Sequence, residues 1–163
     1  MTVLKIFEPS VSFGDKSADL QFQYPPLEKH NPRSSTQVIV AALNEEAGIG
    51  LTIAELKDNL DSPHILVVDG NSSDRTVEIA KNLGVDIAFQ DGVGKGDAIV
   101  KALKLTKADA DYVVLTDADF TYPAKHVPEM IEILEQNPEA GMVCGNRFNP
   151  FFKGNLTLNL FLT

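Results

Sequence analysis

The 163 residues suffice for one domain around a single core, and 44% hydrophobic with 23% charged residues is the composition of a globular protein. A formal net charge of −9, with Lys and Arg scattered along the chain, excludes a basic nucleic-acid-binding surface, and an anionic substrate would need a bridging divalent cation. No run approaches the roughly 20 apolar residues of a membrane span. Met1 to Asp15 does not read as a secretory signal, and a single cysteine, Cys144, excludes an internal disulfide or Cys-based zinc site, so the chain is expected in the cytoplasm.

Residues 1–35 hold Pro9, Pro25, Pro26 and Pro32 and the polar alternation Asp19 to Tyr24, without helical periodicity. They read as an N-terminal extension with at most a short edge strand. From Thr36 the pattern repeats. Val38 to Leu43 is an apolar, β-branched run, as expected of a strand covered on both faces. Ile49, Ile53, Leu56 and Leu60 form one helical stripe. Ile65 to Val68 is a second buried strand, followed by a helix capped by Ser72 or Ser73, with Val77, Ala80 and Leu83 inward and Gly84 as its stop. Val85 to Phe89 is a third strand, and Ala98, Ile99, Ala102 and Leu103 mark the next helix. Tyr112 to Thr116 is a fourth strand, Val127, Met130, Ile131 and Leu134 a fourth helix, and Gly141 to Cys144 a fifth strand. Such alternation predicts an α/β fold, a mostly parallel sheet with right-handed crossovers and helices on both faces. Ligands of such sheets bind beyond the carboxyl ends of the strands, where strand order reverses.

Every strand end is polar: Asn44-Glu45-Glu46, Asp69 to Thr76, Gly92 to Asp97, Asp117-Ala118-Asp119 and Gly145-Asn146-Arg147. On an extended chain, residues two apart point the same way, so Asp117 and Asp119 can reach one locus. Two hard oxygen donors there suit Mg²⁺ or Mn²⁺ shared with substrate phosphates. The competing reading is a helix start near Pro123 capped by Asp119. Gly94-Lys95-Gly96 lets backbone approach a ligand and offers helix-opening amides and a point charge to phosphate; a plain glycine turn is the alternative. Asp69 can accept hydrogen bonds from a base or ribose, or serve as a turn carboxylate. His30, His64 and His126 are dispersed without metal-ligand spacing, and Cys144 reads as a buried small hydrophobe.

In order, these pieces resemble the family 2 glycosyltransferases of GT-A fold, and among them the dolichyl-phosphate mannose synthase-like branch. Ala42 to Glu46 is similar to the family's Pro-Ala-x-Asn-Glu motif, and Val68 to Thr76 to its Val-Asp-Asp-Gly-Ser-Thr-Asp-x-Thr segment. Gly94-Lys95-Gly96, Asp117-Ala118-Asp119 and Gly145-Asn146-Arg147-Phe148 match the remaining landmarks. The resemblance spans residues 36–148 and implies a Rossmann-like nucleotide-sugar-binding domain. It assigns Asn44, Glu45, Asp69, Lys95, Gly96, Asp117 and Ala118 to the donor, with Glu45 and Asp69 on the nucleoside. Asp117 and Asp119 would take the metal, and Asp119 and Arg147 the reaction centre. Ala41, Leu43 and Gly70 depart from the usual Pro, Tyr and second Asp, which leaves the base open. Such enzymes continue into an acceptor segment with amphipathic or membrane helices; residues 149–163 read as its beginning, cut short, with Asn155 to Leu162 as the start of such a helix.

The implied activity is metal-dependent transfer of a hexose, expected to be mannose, from GDP-mannose or UDP-glucose to a polyprenyl or dolichyl phosphate, with peripheral contact at the cytoplasmic face of a membrane. The alternatives are a retaining transferase of the glucosyl-phosphoglycerate synthase type and a non-catalytic nucleotide-sugar-binding module. A nucleotidyltransferase is disfavoured because no glycine-rich basic loop follows the first strand.

Overall fold

The computed structural model describes residues 1–6, 35–146 and 157–162. Its strands are β1 (Thr2–Lys5), β2 (Thr36–Ala42), β3 (His64–Asp69), β4 (Asp86–Phe89), β5 (Tyr112–Asp117), β6 (Ala140–Asn146) and β7 (Thr157–Leu162). Its helices are α1 (Ile49–Asn59), α2 (Thr76–Asn82), α3 (Lys95–Lys104) and α4 (Val127–Gln136), the last entered through a 3₁₀ turn at Ala124–His126. One seven-stranded sheet has the order β4-β3-β2-β5-β1-β6-β7.

The pairings β4–β3, β3–β2 and β2–β5 are parallel, as the unbroken β-branched runs predict. Side chains alternate across the sheet. Val38, Val40, Ile65, Val67 and Val114 therefore share one core with Ile49, Ile53 and Leu56 of α1, Ala80 of α2 and Met130, Ile131 and Leu134 of α4. Ile39, Leu66, Val68 and Val113 point the other way, against Ala98 and Ala102 of α3. Helices cover both faces, three on one side and α3 on the other. Three details of the predicted stripes differ: Val77 and Ile99 are half-buried rather than part of the core, and Leu103 is 45% exposed. Gly84 closes α2 at φ 69, where a residue without Cβ is unstrained.

Both ends of the chain depart from the sequence reading. Thr2–Lys5, assigned to an extension, lies inside the sheet between β5 and β6 and antiparallel to both. Val3, opposite Val114 and Val143, has no exposed surface. Four residues are too short to show a period, and their partners lie more than a hundred positions away. The Asp19 to Tyr24 alternation falls outside the described residues. At the other end, Thr157–Leu162 is not a helix start but an antiparallel partner of β6. Leu158, Leu160 and Leu162 recur every second residue, which is the strand period. Cys144 is half-buried, with Sγ 3.4 Å from the Thr2 hydroxyl.

The register decides where the loops meet. Ala42 stands opposite Asp69, Ala41 opposite Asp117, and Asp69 opposite Phe89, so the carboxyl ends of β2, β3, β4 and β5 form one edge. The chain runs outward from β2 to β4 and then returns to β5 on the other side of β2. That reversal is the expected binding position. Among the described residues, no helix is long and apolar enough to cross a membrane.

The interior position of β1 has a direct test. Val3→Asp puts an unpaired charge into the sheet and should cost about 3 kcal/mol or more in chemical denaturation. A change within about 0.5 kcal/mol, as at a surface site, would place residue 3 outside the core.

Candidate functional site

The loops after β2 and β3 are stitched together by their own polar side chains. Asp69, fully buried, accepts from the Ser72 N–H at 2.7 Å and from the Ser72 hydroxyl at 2.6 Å. That hydroxyl in turn accepts from the Asn44 N–H at 2.8 Å. Asn44, in the left-handed region at φ 55, accepts through Oδ1 from the Ser73 N–H at 2.8 Å. Asp74 accepts from the Thr76 N–H at 3.0 Å and hydroxyl at 2.5 Å, and from the Glu46 N–H at 3.0 Å. The Thr76 hydroxyl accepts from the Glu45 N–H at 2.7 Å. The Thr76 hydrogen bonds hold the Asp74 carboxyl below its ordinary range.

This network engages two residues expected at the donor and corrects the expected cap of α2. Asn44, expected at the donor, and Asp69, expected at the nucleoside, have side-chain oxygens engaged in joining the two loops, and neither lines the cavity described below. Through these bonds Asp69 closes a turn, as the second of its two readings expects. Ser72 and Ser73 do not cap α2; Asp74 takes its first amide, that of Thr76.

The Asp117-Ala118-Asp119 segment ends β5. Ala118, 1% exposed, donates its N–H to the Ala41 carbonyl at 3.2 Å. Asp119 is exposed, and its Oδ1 accepts from the Thr121 N–H at 3.1 Å and hydroxyl at 2.6 Å. It closes a local turn and does not cap a helix, because the 3₁₀ turn begins later, after Pro123. Two residues without obvious chemistry hold this segment. The Thr52 hydroxyl of α1 donates to the Ala118 carbonyl at 3.2 Å and accepts from the Phe120 N–H at 3.1 Å. Gly48 packs so closely that a Cβ would lie 2.6 Å from the Ala118 oxygen and 2.9 Å from the Asp119 Cα. Glycine is required there by backbone contact, a signal that sequence does not show.

A cavity of about 260 Å³ opens between these loops, walled by Leu43, Glu45, Gly70, Gln90, Lys95 and the Asp117 to Asp119 segment. A second cavity of about 210 Å³ adjoins it, with Ile39, Leu115, Thr116 and Tyr122 among its walls. Lys95 and Asp117 line both, and the Lys95 Nζ is ion-paired with Asp117 Oδ1. Gly94, at φ 89, starts α3 so that Lys95 is its first residue. Asp97 accepts from the Gly92 N–H at 2.7 Å and closes the loop. Gly96 does not line either cavity, and a Cβ there would meet nothing within 4 Å. Glu45, Lys95, Asp117, Ala118 and Asp119 are thus brought together. Arg147 lies outside the described residues. Gln90 is a wall residue that no motif marked.

Three carboxylates face the larger cavity against one lysine. Burial, then the charges of Asp119, Asp74 and Asp117, hold the Glu45 carboxyl above its ordinary value. Among the described residues, no group of three or more His, Cys, Asp or Glu side chains could hold a metal by itself. Asp117 and Asp119 offer two hard oxygen ligands at most. That set fits Mg²⁺ or Mn²⁺ completed by water and substrate phosphate oxygens, and not a cation caged by protein alone.

A family model for glycosyl transferase family 2 matches residues 37–159. The chain belongs to glycosyl transferase family 2. Among its family 2 relatives, protein RfbJ of Shigella flexneri is 34% identical over 110 residues, 68% of this chain and 83% of that protein. A dolichyl-phosphate hexose transferase of Haloferax volcanii is 34% identical over 111 residues, 68% of this chain and 46% of that one. Glucosyl-3-phosphoglycerate synthase from Mycobacterium tuberculosis, solved with Mn²⁺, UDP-glucose and phosphoglyceric acid, superposes with a TM-score of 0.54 at 28% identity. That match covers 63% of this chain and 40% of the synthase. The fold is thus the GT-A fold expected from the sequence, and the chain spans less than half the length of these two larger relatives.

The burial of the Glu45 carboxyl, with the charges of its carboxylate neighbours, sets a pH dependence. Because the folded protein binds the Glu45 proton more tightly than the unfolded chain does, stability is lost as pH rises from the ordinary value of 4.5 through the raised one. Glu45→Gln should therefore raise the thermal midpoint in metal-free buffer near neutral pH, and the advantage should vanish below about pH 4. A difference that does not vary with pH would contradict the raised Glu45 carboxyl.

Proposed function

We propose that this chain binds a nucleoside diphosphate sugar in the larger cavity, with Mg²⁺ or Mn²⁺ at Asp117 and Asp119, and transfers its hexose to a polyprenyl phosphate. The observation that carries the reading is the convergence of Asp117, Asp119, Glu45 and Lys95 on one cavity at the point where strand order reverses. The Haloferax relative supports a lipid phosphate acceptor, and the Mycobacterium complex supports a divalent cation with a nucleotide sugar.

The nucleoside would rest between Leu43, Gly70 and Gln90, with Glu45 at its polar edge. The Asp119 carboxylate keeps Oδ2 clear of the Thr121 turn, and so presents an oxygen to a cation. Asp117, which pairs with Lys95 in the ligand-free protein, would hold the cation together with Asp119, and the Lys95 ammonium would then face the diphosphate. When bound, the cation supplies Lewis-acid neutralisation of the charge that develops on the leaving diphosphate. The bond from the sugar's anomeric carbon to the diphosphate breaks, and one to an acceptor phosphate oxygen forms. That oxygen is already ionised at neutral pH, so a strong general base is unnecessary. The described histidines fit this: His64 and His126 pair with Asp86 and Glu129, and neither lines either cavity.

A second reading is the retaining synthase type that the sequence also resembles, with a soluble phosphorylated acid as acceptor, as the phosphoglyceric acid in the Mycobacterium complex supports. A third is a nucleotide-sugar-binding module without turnover.

Calorimetric titration with GDP-mannose and UDP-glucose, with and without Mn²⁺, separates these together with transfer of labelled sugar. The account expects Mn²⁺-dependent binding of one donor, a loss of tenfold or more in Asp119→Ala, and label entering the organic phase with a polyprenyl phosphate. Label entering a water-soluble product would favour the second reading, and binding without transfer the third. Donor binding unaffected by Asp119→Ala would refute the site.

A further inference from the structure

We propose that Thr52 is a positioning residue for the Asp117 to Asp119 turn, through which α1 sets the metal-bearing carboxylates against the nucleoside wall. This rests on the donor-binding reading above and adds to it the part that fixes the geometry.

Thr52 is 5% exposed and lies on α1, away from either cavity wall. A hydroxyl is among the few groups that can donate and accept at one atom, and Thr52 does both. Its donated bond goes to the Ala118 carbonyl and its accepted bond comes from the Phe120 N–H. These two backbone groups bracket Asp119, so the hydroxyl fixes the peptide planes on either side of that residue. Phe120 has φ 60, a conformation unfavourable for a bulky residue, and the Thr52 bond to its amide is one of the contacts that hold it.

The other end of the strut is equally defined. The Thr52 N–H donates to the Gly48 carbonyl at 3.0 Å, and the Gly48 and Ile49 amides donate to the Glu45 carbonyl at 3.1 and 2.9 Å. Gly48 itself is in backbone contact with Ala118 and Asp119. The first turn of α1 therefore joins Glu45, on the cavity wall, to Asp119 through consecutive short contacts. Loss of the hydroxyl leaves the Phe120 amide unpaired and lets the backbone of Asp119 rotate away from Asp117. The carboxylates would survive, but their joint aim at one cation would not.

Thr52→Val keeps the shape and removes the hydroxyl, and Thr52→Ser restores it. Mn²⁺-dependent binding of UDP and GDP, read by calorimetry and by the electron paramagnetic resonance of bound Mn²⁺, should weaken about tenfold in Thr52→Val. Binding of the same nucleotide in EDTA should stay within about twofold, and Thr52→Ser should recover the metal-dependent part. A merely structural role would lower both bindings in parallel with the melting temperature, and that result overturns the proposal. So does Thr52→Val binding Mn²⁺ and nucleotide as the wild type does. If Thr52→Val fails to fold, Thr52→Ala supplies the same comparison. A wild type without Mn²⁺-dependent binding refutes the donor-site reading and this proposal with it; a wild type that binds, with Thr52 variants unaltered, refutes this proposal alone.

Discussion

Across the β2–β5 ladder, Ala41 stands opposite Asp117, and the site depends on that register. A parallel pair buried on both faces is held in one register by its apolar side chains, since a slip of one residue would turn each of them to the wrong face. With the register fixed, the ends of β2 and β5 finish together, and β3 finishes beside them through Ala42 and Asp69. The loops that follow have no choice but to share one edge. Gly48 then brings α1 into backbone contact with the Asp117 to Asp119 turn, and Thr52 pins the turn from beneath.

Electrostatics complete what packing begins. An acidic chain presents Glu45, Asp117 and Asp119 to one cavity, with Lys95 as a tethered counter-charge on Asp117. Such an arrangement repels an anionic donor unless a cation arrives with it. Lys95 balances part of that charge in the ligand-free protein, and under the proposed function a divalent cation would do so when diphosphate is present. The Lys95–Asp117 pair links the two cavities, because both residues belong to the walls of both.

Much of this was legible from sequence because it is local. β-branched runs such as Val38-Ile39-Val40 and stripes such as Ile49, Ile53 and Leu56 have a period that identifies the element and its buried face. Polar residues at strand ends marked the edge, and Glu45, Lys95, Asp117 and Asp119 met there. What escaped is long-range or backbone-borne. The four residues of β1 carry no period and gain their place from partners at the far end of the chain. Asn44 and Asp69 have the chemistry of ligand contacts, and their oxygens also join Ser72 and Ser73, a fact that depends on two loops meeting in space. Thr52 and Gly48 look like ordinary members of a helix and its entry, and their roles follow from what lies against them. Thr157 to Leu162 shows the strand period openly; the expectation of a helix came from the family's usual continuation and not from the residues.

The central claim is that Asp117 and Asp119 hold the cation of a nucleotide bound in the larger cavity. Anomalous diffraction from crystals grown with Mn²⁺ and the preferred nucleoside diphosphate tests it most directly. The account predicts one strong manganese peak in contact with Asp119 and the diphosphate, with Lys95 withdrawn from Asp117 and the nucleoside between Leu43 and Gln90. A manganese peak remote from both aspartates, or a nucleotide seated elsewhere with the Lys95–Asp117 pair intact, would contradict it.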